Sequence, residues 1–90
     1  MGVTIHLPAV LAGRAGGSRT VTSTGTTVAE ALERTAQEHP DLVQVIRGRE
    51  GLSRFVNLYV DDVDVRGTGG LATPLAPGAE IVVVPAVAGG

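Results

Sequence analysis

Ninety residues, 43% of them hydrophobic and with a mean hydropathy of +0.27, are enough for one domain with a core, although Phe55 and Tyr59 are its only aromatics. A net charge of −2 leaves no electrostatic footprint for nucleic acid, and no apolar run reaches the length of a membrane span. With no cysteine, and with arginine at all seven basic positions, the chain has no disulfide, thiolate nucleophile, thiolate metal site or Schiff-base lysine.

The first residues, MGVTIHLP, lack both the basic region and the long apolar run of a signal peptide, so a cytoplasmic location is the default expectation. Val3, Ile5 and Leu7 alternate onto one face of a half-buried first strand, which the reading extends along an edge through Pro8 to Leu11. Ala12 to Ser18, AGRAGGS, is a glycine turn. Arg19 to Ser23 is β-branched and alternating, the partner strand of a hairpin. Thr27 followed by Glu30 fits a capping box, predicting a helix from Val28 to His39. Val28, Ala31, Leu32, Thr35 and Ala36 share its apolar face, and Pro40 stops it. Asp41 to Ile46 reads as a short helix over one edge of the core, and Arg47 to Ser53 as a polar loop.

RFVNLYV, Arg54 to Val60, is the clearest strand, with Val56, Leu58 and Val60 on one face and Phe55, Asn57 and Tyr59 on the other. Asp61 to Asp64 turns the chain into a short strand around Val63 to Arg66, and Gly67 to Gly78 is a glycine- and proline-rich connection. Glu80 to Val84 is a nearly continuous β-branched run, suited to the centre of a sheet. The order ββαββ plus a last strand predicts an α+β domain with one sheet over one helix.

Few side chains suggest chemistry. His6 and His39 fall on different elements and read as surface residues rather than a metal pair. Asp61, Asp62 and Asp64 lack the glycine and distal glutamate of a calcium loop, and a hairpin turn uses the same residues. AGRAGGS and Gly67 to Gly70 share only their glycine content with phosphate loops. If Val56, Leu58 and Val60 face the helix, Phe55 and Tyr59 point away from it, and two aromatics on one outer face suggest a patch that binds a partner.

The C-terminal stretch VPAVAGG offers a reactive group that needs no side chain, the α-carboxylate of Gly90. Ala-Gly-Gly has almost no bulk and can enter a narrow channel of another protein. Adenylation makes the carboxylate an electrophile, and displacement of AMP by sulfur leaves a thiocarboxylate, a strong sulfur nucleophile.

The strand order, with RFVNLYVDDVDVR (Arg54 to Arg66), GGLAT (Gly69 to Thr73) and VPAVAGG (Val84 to Gly90), resembles the β-grasp, ubiquitin-like sulfur carriers of molybdopterin, thiamine and cysteine biosynthesis. The resemblance spans essentially the whole chain and is nearest the actinobacterial carrier of cysteine biosynthesis. It implies a single β-grasp domain over residues 1–90, with a mixed sheet of four to five strands wrapped over one main helix and a flexible tail over residues 85–90. By that resemblance Gly90 carries the sulfur, and Pro85, Ala86, Val87, Ala88 and Gly89 thread the partner's active site. Phe55 and Tyr59 match aromatic positions of the same strand.

The protein would then be a co-substrate rather than an enzyme, with no bound cofactor of its own. Its expected partners are a ubiquitin-activating-type adenylyltransferase using ATP, a rhodanese-type persulfide donor, and an acceptor enzyme. The acceptor is a pyridoxal-phosphate cysteine synthase, followed by a zinc metalloprotease, or a thiosugar synthase resembling thiazole synthase. Pro85-Ala86 replaces the double proline common in the molybdopterin and thiamine carriers, which favours the cysteine-type branch. A molybdopterin- or thiamine-type donor, a protein modifier conjugated through Gly90, and an interaction module with an incidental tail remain as alternatives. Because the sequence ends on Gly-Gly, no trimming is expected.

Overall fold

The computed structural model describes residues 2–48 and 51–86. Strand β1 (Gly2–His6) buries Val3 and Ile5 and pairs antiparallel with β2 (Thr20–Thr24), setting Val3 opposite Ser23 and Ile5 opposite Val21. The expected edge extension after β1 is instead a turn of helix, α1 (Ala9–Ala12), which buries Leu11. Pro8 supplies the reason. Its φ of −70° suits the residue before a helix, its carbonyl accepts the Leu11 N–H at 3.0 Å, and alanine and leucine are good helix formers.

The main helix, α2 (Val28–Ala36), buries Val28, Ala31, Leu32 and Thr35. Thr27 caps it, its Oγ1 accepting the Glu30 N–H at 3.2 Å. The reciprocal half of the capping box lands one residue early. Glu30 Oε1 accepts from the Thr26 N–H at 2.8 Å and from the Thr26 hydroxyl at 2.9 Å. These bonds, backbone first and aided by Arg34, hold the Glu30 carboxyl below its ordinary range. Gly25 lies against this helix start at φ +154°, where a Cβ would come 2.8 Å from the Ala31 nitrogen.

The helix ends before His39, which is already the N-cap of α3 (Pro40–Ile46). A residue preceding proline is driven out of helical geometry, and His39 has φ −134° and ψ 66°. Helix α3 buries Leu42, Val43 and Ile46, as a cover over one core edge should. The expected polar loop after it contains a two-residue ladder, β3 (Arg47–Gly48) with β4 (Gly51–Leu52).

Strand β5 (Val56–Val60) buries Val56, Leu58 and Val60. It turns through Asp61 and Asp62 into β6 (Val63–Asp64), which stops short of the expected Arg66 because the chain enters a 3₁₀ turn over Val65–Gly67. The glycine- and proline-rich connection is not structureless. The Val28 N–H donates to Thr73 O at 3.0 Å and the Leu75 N–H to Thr26 O at 2.8 Å, so this segment pins the start of α2. Strand β7 (Glu80–Pro85) completes a five-stranded mixed sheet of order β2-β1-β7-β5-β6, in which β1 and β7 are parallel and the other pairs antiparallel. The sheet lays Ile5, Ile81, Val83 and Leu58 against the buried face of α2 in one core. This is the α+β arrangement the sequence predicts, with the last strand central.

Candidate functional site

The site is the end of β7 and the face of the sheet that leads to it. Strand β7 is held on both sides at its start, by β1 through Glu80, Ile81 and Val82 and by β5 through Ile81 to Pro85. Beyond Val82 the β1 side is open, and β5 alone guides the chain. Val84 lies opposite Asn57 and Pro85 opposite Val56, and the Ala86 N–H donates to Phe55 O at 2.9 Å.

Proline is tolerated here for a geometric reason. Antiparallel pairing alternates bonded and non-bonded positions. The Asp61 N–H donates to Glu80 O and the Ala86 N–H to Phe55 O, so Pro85, opposite Val56, falls at a non-bonded position toward β5 and sacrifices no ladder bond there.

This corrects one expectation. The tail was expected to begin at Pro85, but Pro85 belongs to β7 and Ala86 is hydrogen-bonded to the sheet. Val87, Ala88, Gly89 and Gly90, the rest of the expected threading segment and the reacting residue, lie outside the described residues.

Phe55 and Tyr59 lie where alternation puts them, away from α2. Phe55 is 65% exposed, so no loop folds over it, while Tyr59 is half-buried. The register adds two residues that the search for aromatics passed over. Val82 lies opposite Tyr59, and Val84, 38% exposed, opposite Asn57. Phe55, Val84, Tyr59 and Val82 thus form an apolar strip running along the outer face toward Ala86, the last described residue. The signal was present in the run Ile81-Val82-Val83-Val84, whose even positions share the face opposite Ile81 and Val83.

The strip has a polar border. His6, beside Val82 on β1, places Nε2 2.7 Å from Glu80 Oε1. Asp61 Oδ1 accepts the Glu80 N–H at 3.0 Å, closing the turn onto β7. His39 lies at the start of α3, away from His6, and among the described residues no three His, Asp or Glu side chains gather as a metal site. Asp61 and Asp62 form a turn, as the hairpin reading requires, and Asp64 caps the next one through the Arg66 N–H at 2.9 Å. Arg66, which sequence reasoning did not single out, reaches back with its guanidinium to Asn57 and Val56.

The ThiS family profile matches residues 5–90, from β1 through the terminal diglycine. The chain belongs to the ThiS family. This ThiS-family chain is 37% identical over 93 residues to the sulfur carrier protein CysO of Mycobacterium tuberculosis, with both chains covered in full. It superposes on a chain of the Amycolatopsis orientalis BexX/CysO complex with a TM-score of 0.90 and 38% identity, covering 98% of this chain and 99% of that one. It is similar also to SAMP1 from Haloferax volcanii, with a TM-score of 0.79, 30% identity and full coverage of both chains. The β-grasp fold and the sulfur-carrier likeness expected from the sequence are thereby established. Among the described residues no helix is long and apolar enough to cross a membrane.

Proposed function

We propose that this protein carries sulfur as a thiocarboxylate on Gly90 and delivers it as a co-substrate of partner enzymes. The observation that carries the reading is the family match through residue 90, together with full-length likeness to a sulfur carrier. The geometry supports it. A central strand ends beside an exposed apolar strip, so one surface can dock while the chain beyond Ala86 extends into the partner.

The chemistry needs no side chain of this protein. A Gly90 carboxylate oxygen attacks the α-phosphorus of ATP on the activating enzyme, and pyrophosphate leaves. The terminal sulfur of a persulfide attacks the acyl carbon, and AMP departs with the C–O electron pair. A thiol then reduces the acyl disulfide, leaving the thiocarboxylate. Phe55, Tyr59, Val82 and Val84 provide the docking face, and residues 87–90 reach the catalytic centre.

Likeness to CysO supports cysteine synthesis as the destination, with a pyridoxal-phosphate-dependent cysteine synthase as acceptor and a zinc metalloprotease releasing the product. Likeness to a chain solved in a BexX/CysO complex supports docking on a second protein, and leaves room for a thiosugar synthase served by the same carrier. A second reading, conjugation to proteins through Gly90, is favoured by the likeness to the small archaeal modifier protein 1 of Haloferax volcanii.

The test is intact-mass analysis of untagged protein from its native host. The expected species is heavier by the sulfur–oxygen mass difference, with the change localised to Gly90. Carboxylate alone, persisting after incubation with ATP, the activating enzyme and a sulfur donor, overturns the carrier reading. A ladder of higher-mass conjugates on immunoblots establishes the modifier reading.

A further inference from the structure

The edge of β5 opposite β7 is only partly covered. Strand β6 pairs with Tyr59 and Val60 and then ends at Asp64. Ser53 is tied to Ile46 O through its N–H at 2.9 Å, and beyond it, at Val56 and Asn57, the place of a neighbouring strand is taken by one side chain. Arg66 Nη1 donates to Asn57 Oδ1 at 2.6 Å, and Nη2 donates to Val56 O at 3.1 Å and to Ser53 O at 3.4 Å. Its own backbone N–H is fixed by Asp64 Oδ1, so the guanidinium is aimed from an anchored base. The guanidinium's described acceptors, an amide oxygen and two backbone carbonyls, are all neutral.

The other edge of this same segment carries the end of β7. Val56 faces Pro85, and Phe55 O accepts the Ala86 N–H at 2.9 Å. Successive carbonyls of a strand point to opposite edges. Arg66 therefore grips Val56 O on one side while Phe55 O holds Ala86 on the other.

We infer that Arg66 is a positioning residue for the C-terminal tail, fixing where and in which direction the chain leaves the sheet. The inference rests on the reading of Gly90 as the reacting group. Without Arg66, Val56 and Asn57 lose their restraint on the open edge while Ser53 stays tied to Ile46, and the Ala86 bond is released. The last firm attachment then moves back to Val84 opposite Asn57. Once docked through the sheet face, the complex must then order two more residues before the carboxylate reaches the active site, and their conformational entropy opposes productive entry. A lysine does not substitute, because one ammonium nitrogen replaces two nitrogens that face separate acceptors.

Amide hydrogen exchange on the full-length protein, with Arg66→Ala and Arg66→Lys, reads the effect without reference to activity. Exchange at Ala86 should rise about tenfold in both variants, with Asp61 at the far end of the same strand pair unchanged. Steady-state adenylation by the activating enzyme should show kcat reduced about tenfold in both, with KM little altered. Unchanged exchange at Ala86, an equal rise at Asp61, or restoration of both readouts by lysine overturns the inference. If the wild-type protein forms no adenylate or thiocarboxylate, the carrier reading fails, and the Ala86 exchange result still decides what Arg66 does to the sheet.

Discussion

Asp61 and Asp62 carry left-handed backbone, with φ of 48° and 73°. Two consecutive left-handed residues between antiparallel strands are the geometry of a tight hairpin turn, which favours Asn, Asp and Gly. The two aspartates are not equivalent. Asp61 receives the Glu80 N–H on its side chain and gives its own N–H to Glu80 O, tying the turn to β7. Asp62 is exposed, and its side chain makes no hydrogen bond among the described residues, so it bears the cost of a left-handed conformation without a compensating bond. Asp62→Gly should raise stability by about 0.5–1 kcal/mol, the relief of left-handed strain less the added entropy of glycine in the unfolded chain. Asp61→Gly should give no such gain, since it removes the bond to β7. Urea denaturation midpoints of the two variants check this, and a destabilised Asp62→Gly would contradict it. The sequence DDVD was sufficient to name a turn. Which aspartate holds β7 was not legible, because Glu80 is remote in sequence.

At the level of elements, alternation did most of the work, and it failed where local chemistry changed the period. It placed β1, β2 and β5 and separated the two faces of β5 correctly, while β7 was legible as a nearly continuous β-branched run. It missed α1, because a proline after a strand reads equally as an edge extension and as the residue before a helix. The capping box and Pro40 carry α2 to His39, whereas the helix ends at Ala36 and the proline already drives His39 out of helical geometry. Polar, glycine- and proline-rich composition reads as loops over 47–53 and 67–78, although the first contains a short ladder and the second braces α2. The faces of β5 give a paired prediction. Leu58 is fully buried against the core and Phe55 is 65% exposed on the other face. Leu58→Ala should cost about 2–5 kcal/mol through lost transfer energy and a cavity. Phe55→Ala should stay within about 0.5 kcal/mol of wild type yet weaken binding to the activating enzyme, as removal of an exposed aromatic anchor does. Thermal melts and binding isotherms on the same two variants separate the roles. A Phe55→Ala protein that binds normally would remove Phe55 from the docking face.

Over the whole molecule, the decisive arrangement is that the last strand occupies the middle of the sheet. Parallel pairing of β1 with β7 sets Thr4 beside Glu80, so the chain's C-terminal strand is locked by its N-terminal one and by β5 together. The described hydrogen bonds of the sheet thus continue to Ala86, which moves the origin of the expected tail past Pro85. Sequence alone set that origin at Pro85. It could not reveal the Ala86 bond, which depends on β5 extending its pairing one residue past its own first strand position, Val56. A tail presented in this way makes bulk at Gly89 a test of threading. On the proposed carrier reading Gly89 acts inside the partner, so Gly89→Val should leave the melting temperature unchanged. On that reading, a β-branched side chain next to the Gly90 carboxyl widens and stiffens the segment that would enter the partner. Thiocarboxylate formation should therefore fall about a hundredfold, the scale of loss when reacting groups are misplaced by an ångström or so. Binding through Phe55, Tyr59, Val82 and Val84 should persist, because that face is untouched. Loss of binding together with loss of turnover would mean that the tail contributes to docking as well as to chemistry. Normal adenylation of Gly89→Val would mean that the carboxylate is reached without passage through a narrow channel, and the absence of bulk at the end of this chain would need another explanation.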